Sequence, residues 1–159
     1  MPEYRLNQAP LVVLDTSVLF SYIHNAKRQF AIRDAIKSGD LTAVLCDFTL
    51  GELTEVALRF HDRATVDGFV TEICKNALTI LDPPARFTLL SDANDSIFFN
   101  LAIESKANYL VTYDKAHILP IRETVHQQHA ELTRLSPNLK IFQPIEMARE
   151  LAVLRVRGN

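Results

Sequence analysis

SDANDSIFFNLAIESKANYLVTYDK, Ser91 to Lys115, reads as one compact αβ unit with acids at both ends. Asp92 and Asp95 lie three apart, so on a helix continuing through IFFNLA they share a face. The run Tyr109-Leu110-Val111-Thr112 has strand character, and Asp114 stands just beyond it. Three carboxylates therefore bracket one helix and one strand, and the rest of the chain decides what meets them.

Working outward, Leu11-Val12-Val13-Leu14 is a continuous apolar run of β-formers, short enough to be a strand buried on both faces, with Asp15 at its C-terminal end. Helical spacing follows from Ser17, with a break near His24 to Gln29, and ends at Ser38-Gly39-Asp40. Thr42 to Cys46 reads as a second buried strand. Asp47 and Thr49 mark a helix start, and Leu50, Leu53, Val56, Ala57 and Phe60 lie along one face. Thr65 to Leu81 keeps helical spacing until Asp82-Pro83-Pro84 stops it, so two successive helices are expected before the acidic unit. Ile118 to Pro137 reads as an amphipathic helix, Lys140-Ile141-Phe142 as a last short strand, and Pro144 as the first turn of a closing helix.

Strands alternating with helices predict an α/β fold, a three-layer α/β/α sandwich around a mostly parallel central sheet. The chain of 159 residues, 48% of them hydrophobic, is sized for a single domain over 1–159. Residues 1–10 form a lead-in, 118–138 a longer late helical segment, and 155–159 a frayed tail. The run from Leu11 to Phe20 is interrupted by Asp15, Thr16 and Ser17 and is too short to span a bilayer. Nor do the first ten residues have the make-up of a secretory signal. Cys46 and Cys74 have no metal-ligand spacing and read as buried reduced thiols, consistent with a cytoplasmic protein. Seventeen basic against nineteen acidic side chains, a net charge of -2, exclude a strongly basic nucleic-acid binder. They leave room for a nuclease, whose acidic centre is neutralised by metal ions.

In parallel sheets ligands sit beyond the carboxyl ends of the strands, which is where Asp15 and Asp114 fall. Glu52 and Asp95, each in the first turns of a helix, are placed to join them. Four carboxylates that close repel one another unless hard cations neutralise them, which calls for Mg²⁺ or Mn²⁺. Such a site suits hydrolysis of a phosphodiester. Thr16, Ser17 and Thr112 put short hydroxyls beside the acids, suited to fixing a carboxylate rotamer. Structural roles compete: Thr49-Leu50-Gly51-Glu52 spells a capping box, and Asp92 suits an N-cap with Asp95 in the first turn. Asp15 resists that explanation, since an unpaired charge closing a buried strand costs several kcal/mol.

LVVLDTSVLF, LGELTEV and DANDSIFFNLAIESKANYLVTYDK, in that order, resemble the PIN domain, specifically its compact toxin-like ribonucleases. Lys140 to Leu154 resembles the family's closing strand and helix. The resemblance implies a parallel-sheet sandwich, Mg²⁺ or Mn²⁺ at the acidic pocket, and endonucleolytic cleavage of single-stranded RNA. Asp15, Glu52, Asp95 and Asp114 match the family's four catalytic and metal-binding acids. Thr16, Ser17 and Thr112 match its hydroxyl positions, and Asp92 matches an extra acid of some members. The implied partners are the RNA substrate, an antitoxin protein where the chain is the toxin of a pair, and a second copy in a homodimer.

Two features depart from the pattern. Tyr113 stands where many relatives carry a small residue, and either crowds the pocket or offers a stacking surface to a base. Residues 118–138 exceed a minimal connection and suit a lid, a dimer contact or an RNA guide. That segment holds His126 and His129, a helical i, i+3 pair with His117 upstream, whose ordinary role is a solvated face and whose rarer one is a transition-metal site. Lys27, Arg28, Arg33, Arg149, Arg155 and Arg157 are candidates for holding phosphates. Two other functions compete: a degenerate, non-catalytic PIN fold that binds RNA or protein, and, ranked lowest, a phosphatase with Asp15 as phosphoacceptor.

Overall fold

The computed structural model describes residues 8–89 and 94–158. Residues 1–7 of the expected 1–10 lead-in, and Asp92, lie outside the described residues. Strands β1 (Leu11–Leu14), β2 (Thr42–Cys46), β3 (Leu78–Ile80), β4 (Tyr109–Val111) and β5 (Lys140–Phe142) form a five-stranded sheet in the order β3-β2-β1-β4-β5, every pairing parallel. Helices α1 (Thr16–His24), α2 (Ala31–Ser38), α3 (Asp47–Ala57), α4 (Arg63–Cys74), α5 (Ser96–Ser105), α6 (His129–Leu135) and α7 (Pro144–Arg157) cover it.

The strand period of two sorts the core into two layers. Val12, Leu14, Ala43, Leu45 and Val111 pack with residues of α1, α2, α3, α4 and α7 on one face. Val13, Val44, Cys46 and Leu110 pack with α5, Ile118 to Ile121 and Leu132 of α6 on the other. Burial of each such Val or Leu is worth roughly 1.5–3 kcal/mol, so the central strands are anchored from both sides. This is the three-layer α/β/α sandwich the sequence predicts, with the expected break between α1 and α2. Gly39 closes α2 at φ 85°, a left-handed position that suits glycine.

Register places the site. Leu14 pairs with Val111, so the chain leaves β1 and β4 at the same level of the same edge. The Asp15 amide continues the ladder, donating to the Val111 carbonyl at 3.1 Å. The chain passes from β1 to β2 on one side, whereas β4 docks on the other, so β1 and β4 flank the switch point where a crevice opens in such sheets.

Four local expectations are corrected. The helix expected over Thr65 to Leu81 ends at Cys74, and Leu78–Ile80 forms β3, an edge strand on β2. Its side chains are mostly outside the core, so it carries no strand-like burial pattern, and its apolar residues happened to continue the helical period. The amphipathic helix expected over Ile118 to Pro137 is a 3₁₀ turn, Leu119–Arg122, followed by turns and the seven-residue α6. Pro120 has no N–H to extend a helix, and Val125, which the helical pattern required on the buried side, is exposed. Helix α3 begins at Asp47, and its capping box joins Cys46 to Thr49, so Glu52 is not tying off the helix end. The expected frayed tail is helical as far as Arg157. Arg155 and Arg157 suit the negative end of the α7 dipole, and Arg155 pairs with Asp40 at 3.6 Å.

Candidate active site

Asp15 caps the N-terminus of α1 and is only 5% exposed. Its Oδ1 accepts from the Ser17 hydroxyl at 2.6 Å and the Val18 amide at 3.0 Å, and its Oδ2 accepts from the Thr112 hydroxyl. Burial pushes its pKa above the ordinary value. The bonds from Ser17, Thr112 and Val18 oppose that shift, and the neighbouring Asp114 charge adds to it. The strand end thus holds a carboxylate where desolvation and a like charge disfavour ionisation, leaving a centre that a cation would stabilise.

The completely buried Thr112 hydroxyl links two acids: it donates to Asp15 and accepts from the Asp114 amide at 2.9 Å. Asp114 Oδ1 in turn accepts from the amides of Ala116 and His117, at 2.9 and 2.8 Å, closing a tight turn. That turn brings His117 Nδ1 to 3.4 Å from Asp114 Oδ2. Asp95, the residue before α5, completes a group in which Asp95, Asp114 and His117 each offer a ligand atom within 4.8 Å of the others. Ligands of one ion at bond lengths of about 2.1 Å stand roughly 3–4 Å apart, a spacing close to that of this set. Two carboxylates and an imidazole suit Mn²⁺ well and Mg²⁺ through the oxygens alone.

Glu52 lies on α3, and its Oε2 accepts from the Thr16 hydroxyl at 2.7 Å. It is joined to the strand end through the residue after Asp15 and falls outside the three-residue group. The structure thus brings Asp95 and Asp114 together, links Asp15 to Asp114 through Thr112, and ties Glu52 in through Thr16. His117 is the residue the sequence reading passed over. Its signal was the Asp114-x-x-His117 spacing, obscured by grouping it with the later histidines.

The other candidates resolve differently. His126 lies outside α6, so it and His129 are not a helical pair. His126 Nδ1 accepts from the Gln128 amide at 3.1 Å, and His129 Nδ1 bonds the Ile121 carbonyl at 2.8 Å. Tyr113 lines a separate groove with Tyr22 and Arg28, instead of filling the acidic pocket. Cys46 and Cys74 are free thiols whose pKa burial raises. Among the described residues no helix is long and apolar enough to cross a membrane.

A family model for the PIN domain matches residues 11–116. The chain belongs to the PIN domain family. The match runs from β1 through the Asp114 turn and so takes in all four sequence-predicted acids of this PIN domain. The family's members are generally nucleases. Among solved structures, the PIN chain resembles a crystal structure of VapBC2 from Rickettsia felis bound to a DNA fragment from their promoter. The two are 13% identical with a TM-score of 0.53, and the likeness covers 84% of this chain and 98% of that one. At that identity the likeness concerns the fold. No curated protein matches the sequence.

Proposed function

We propose that this PIN-domain protein is a metal-dependent endoribonuclease that hydrolyses phosphodiester bonds of single-stranded RNA, acting as one domain in the cytoplasm. The observation that carries the proposal is the Asp95, Asp114 and His117 group, within reach of one ion and coupled through Thr112 to buried Asp15 at the sheet's switch point. Asp95, Asp114 and His117 are the residues that would hold Mg²⁺ or Mn²⁺, with Asp15 and Glu52 completing the acidic wall. When bound, such an ion lowers the pKa of a water and stabilises charge on the phosphoryl oxygens.

The chain's own side chains supply positioning. Ser17 and the Val18 amide fix one Asp15 oxygen while Thr112 fixes the other, so this carboxylate is oriented before substrate arrives. Thr16 holds the Glu52 carboxylate facing the same strand end. The Asp114 turn sets the imidazole of His117 against the acids. The fold likeness to VapBC2 and the toxin-like motifs support a toxin role with an antitoxin partner. Incubating the purified full chain with labelled single-stranded RNA and Mn²⁺ or Mg²⁺ tests the proposal. Cleavage abolished by chelator and by Asp114→Asn is the expected result, and intact RNA under all metal conditions overturns it.

A further inference from the structure

Beside the acidic centre lies a groove of ≈ 330 Å³ bounded by α1, the start of α2, the turn after β4 and the start of α7. Tyr22, Arg28, Phe30, Tyr113, Gln143 and Ile145 line it. Tyr113 sits between Thr112, which binds Asp15, and Asp114, so the groove begins one residue from the acids. Its composition contrasts with theirs: among the described residues lining it, Arg28 carries charge and none is a carboxylate. The groove thus offers a cation to an anionic occupant next to a carboxylate cluster that repels one.

Each wall offers a different contact. Tyr113 is 46% exposed, leaving part of its ring open to a planar partner. The Arg28 guanidinium lies 5.5 Å from the centre of the Phe30 ring, which holds this cation at the groove, whereas Arg33, at the same distance from that ring, lines a different pocket with Lys37 and Glu72. Arg33 is pinned further, donating to the Arg28 carbonyl at 3.0 Å. Gln143 spends its side-chain acceptor on the α7 capping box, which leaves its amide hydrogens for other use. Tyr22 is 2% exposed, yet its hydroxyl has no hydrogen-bond partner among the described residues. That hydroxyl is itself fully buried, so Tyr22 contributes to the groove's wall by shape and offers no hydrogen bond to an occupant.

We propose that this groove is a nucleotide subsite of the ribonuclease, in which Tyr113 stacks on an RNA base, Arg28 holds the adjoining phosphate, and the Gln143 amide contacts the edge of the base. It rests on the nuclease reading and deepens it by assigning base preference to residues apart from the acids. The lack of carboxylates, the Arg28 guanidinium held against Phe30 and the exposed aromatic ring favour a nucleic acid over a protein segment here. Nucleotides flanking the scissile bond would be selected by the fit of their bases to this slot.

Fluorescence anisotropy of labelled RNA octamers of U, A, C or G, with the full chain in EDTA so that hydrolysis does not run, tests the subsite. Circular dichroism confirms that each variant is folded. Tyr113→Ala is expected to weaken binding of the preferred octamer about fivefold or more, whereas Tyr113→Phe, which keeps the ring, stays within about twofold of wild type. Arg28→Ala is expected to weaken binding and reduce the salt slope by about 0.7. Gln143→Ala is expected to change the order of preference among the four octamers. If wild type binds RNA while Tyr113→Ala and Arg28→Ala match it on all four octamers, the subsite is overturned and the nuclease reading stands. If wild type binds none of them, the subsite is overturned, and cleavage with Mn²⁺ decides the nuclease reading separately.

Discussion

Thr112→Val is a near-isosteric change that removes one hydroxyl from a completely buried position and tests how the site is held. The hydroxyl makes two bonds, one donated to the Asp15 carboxylate and one accepted from the Asp114 amide. A hydrogen bond to a charged group is worth about 1.5–3 kcal/mol and a neutral one about 0.5–1.5 kcal/mol, so the variant should lose about 2–4 kcal/mol. With a urea slope of about 2 kcal/mol per M, the unfolding midpoint falls by about 1–2 M. Thr112→Ser keeps the hydroxyl and sheds one methyl, so its loss should stay near ~1 kcal/mol. The pH dependence follows from the charge. Thr112 favours ionised Asp15, so removing it raises further a pKa already raised by burial. The penalty is therefore full above the variant's Asp15 pKa and shrinks as pH falls through it and then through the wild-type value. Urea melts in EDTA from pH 4 to 8 measure this. A Thr112→Val midpoint within error of wild type, or a penalty that grows toward low pH, would refute the coupling of the two acids through this hydroxyl.

Three further outcomes are expected. In EDTA, the stability gap between Asp15→Asn and wild type should move in the variant's favour as pH rises from 4 to 7. An acid whose folded pKa is raised loses its stabilising contribution as it ionises, and asparagine does not ionise; a gap moving the other way in urea melts contradicts this. His117→Ala should weaken Mn²⁺ binding about tenfold and Mg²⁺ much less, because an imidazole matters more to the softer ion. Calorimetric titration with each metal decides, and equal losses would remove His117 from the ligand set. Glu52→Gln retains an acceptor for Thr16, so its unfolding free energy should change by less than about 0.5 kcal/mol while RNA cleavage falls at least a hundredfold. Unchanged cleavage would reduce Glu52 to a partner for Thr16.

Much of this molecule is legible in one sequence because its central strands are buried on both faces. Val12-Val13-Leu14 and Tyr109-Leu110-Val111 are continuous apolar runs whose ends sit in register, and an acid just beyond each is visible without coordinates. Edge elements lack that signature. The side chains of β3 lie mostly outside the core, so burial did not write a strand pattern into Leu78-Thr79-Ile80, and the residues read as more helix. The late segment lacks a distinctive pattern for a related reason: Leu119, Ile121 and Leu132 are buried from a 3₁₀ turn and a short helix, and spacing alone does not separate that from one long helix. At the site, Asp95 and Asp114 were legible as a pair. The place of His117 beside them was not, because it depends on the Asp114 carboxylate accepting two amides and folding the turn back.

The most direct test of the metal-dependent nuclease is cleavage of a labelled single-stranded RNA by wild type and Asp114→Asn prepared in parallel, with Mn²⁺ and again with excess EDTA. Internal cleavage by wild type in Mn²⁺, with none in EDTA and none by the folded variant, is the predicted result. Equal cleavage by both proteins, or cleavage that survives EDTA, would contradict it.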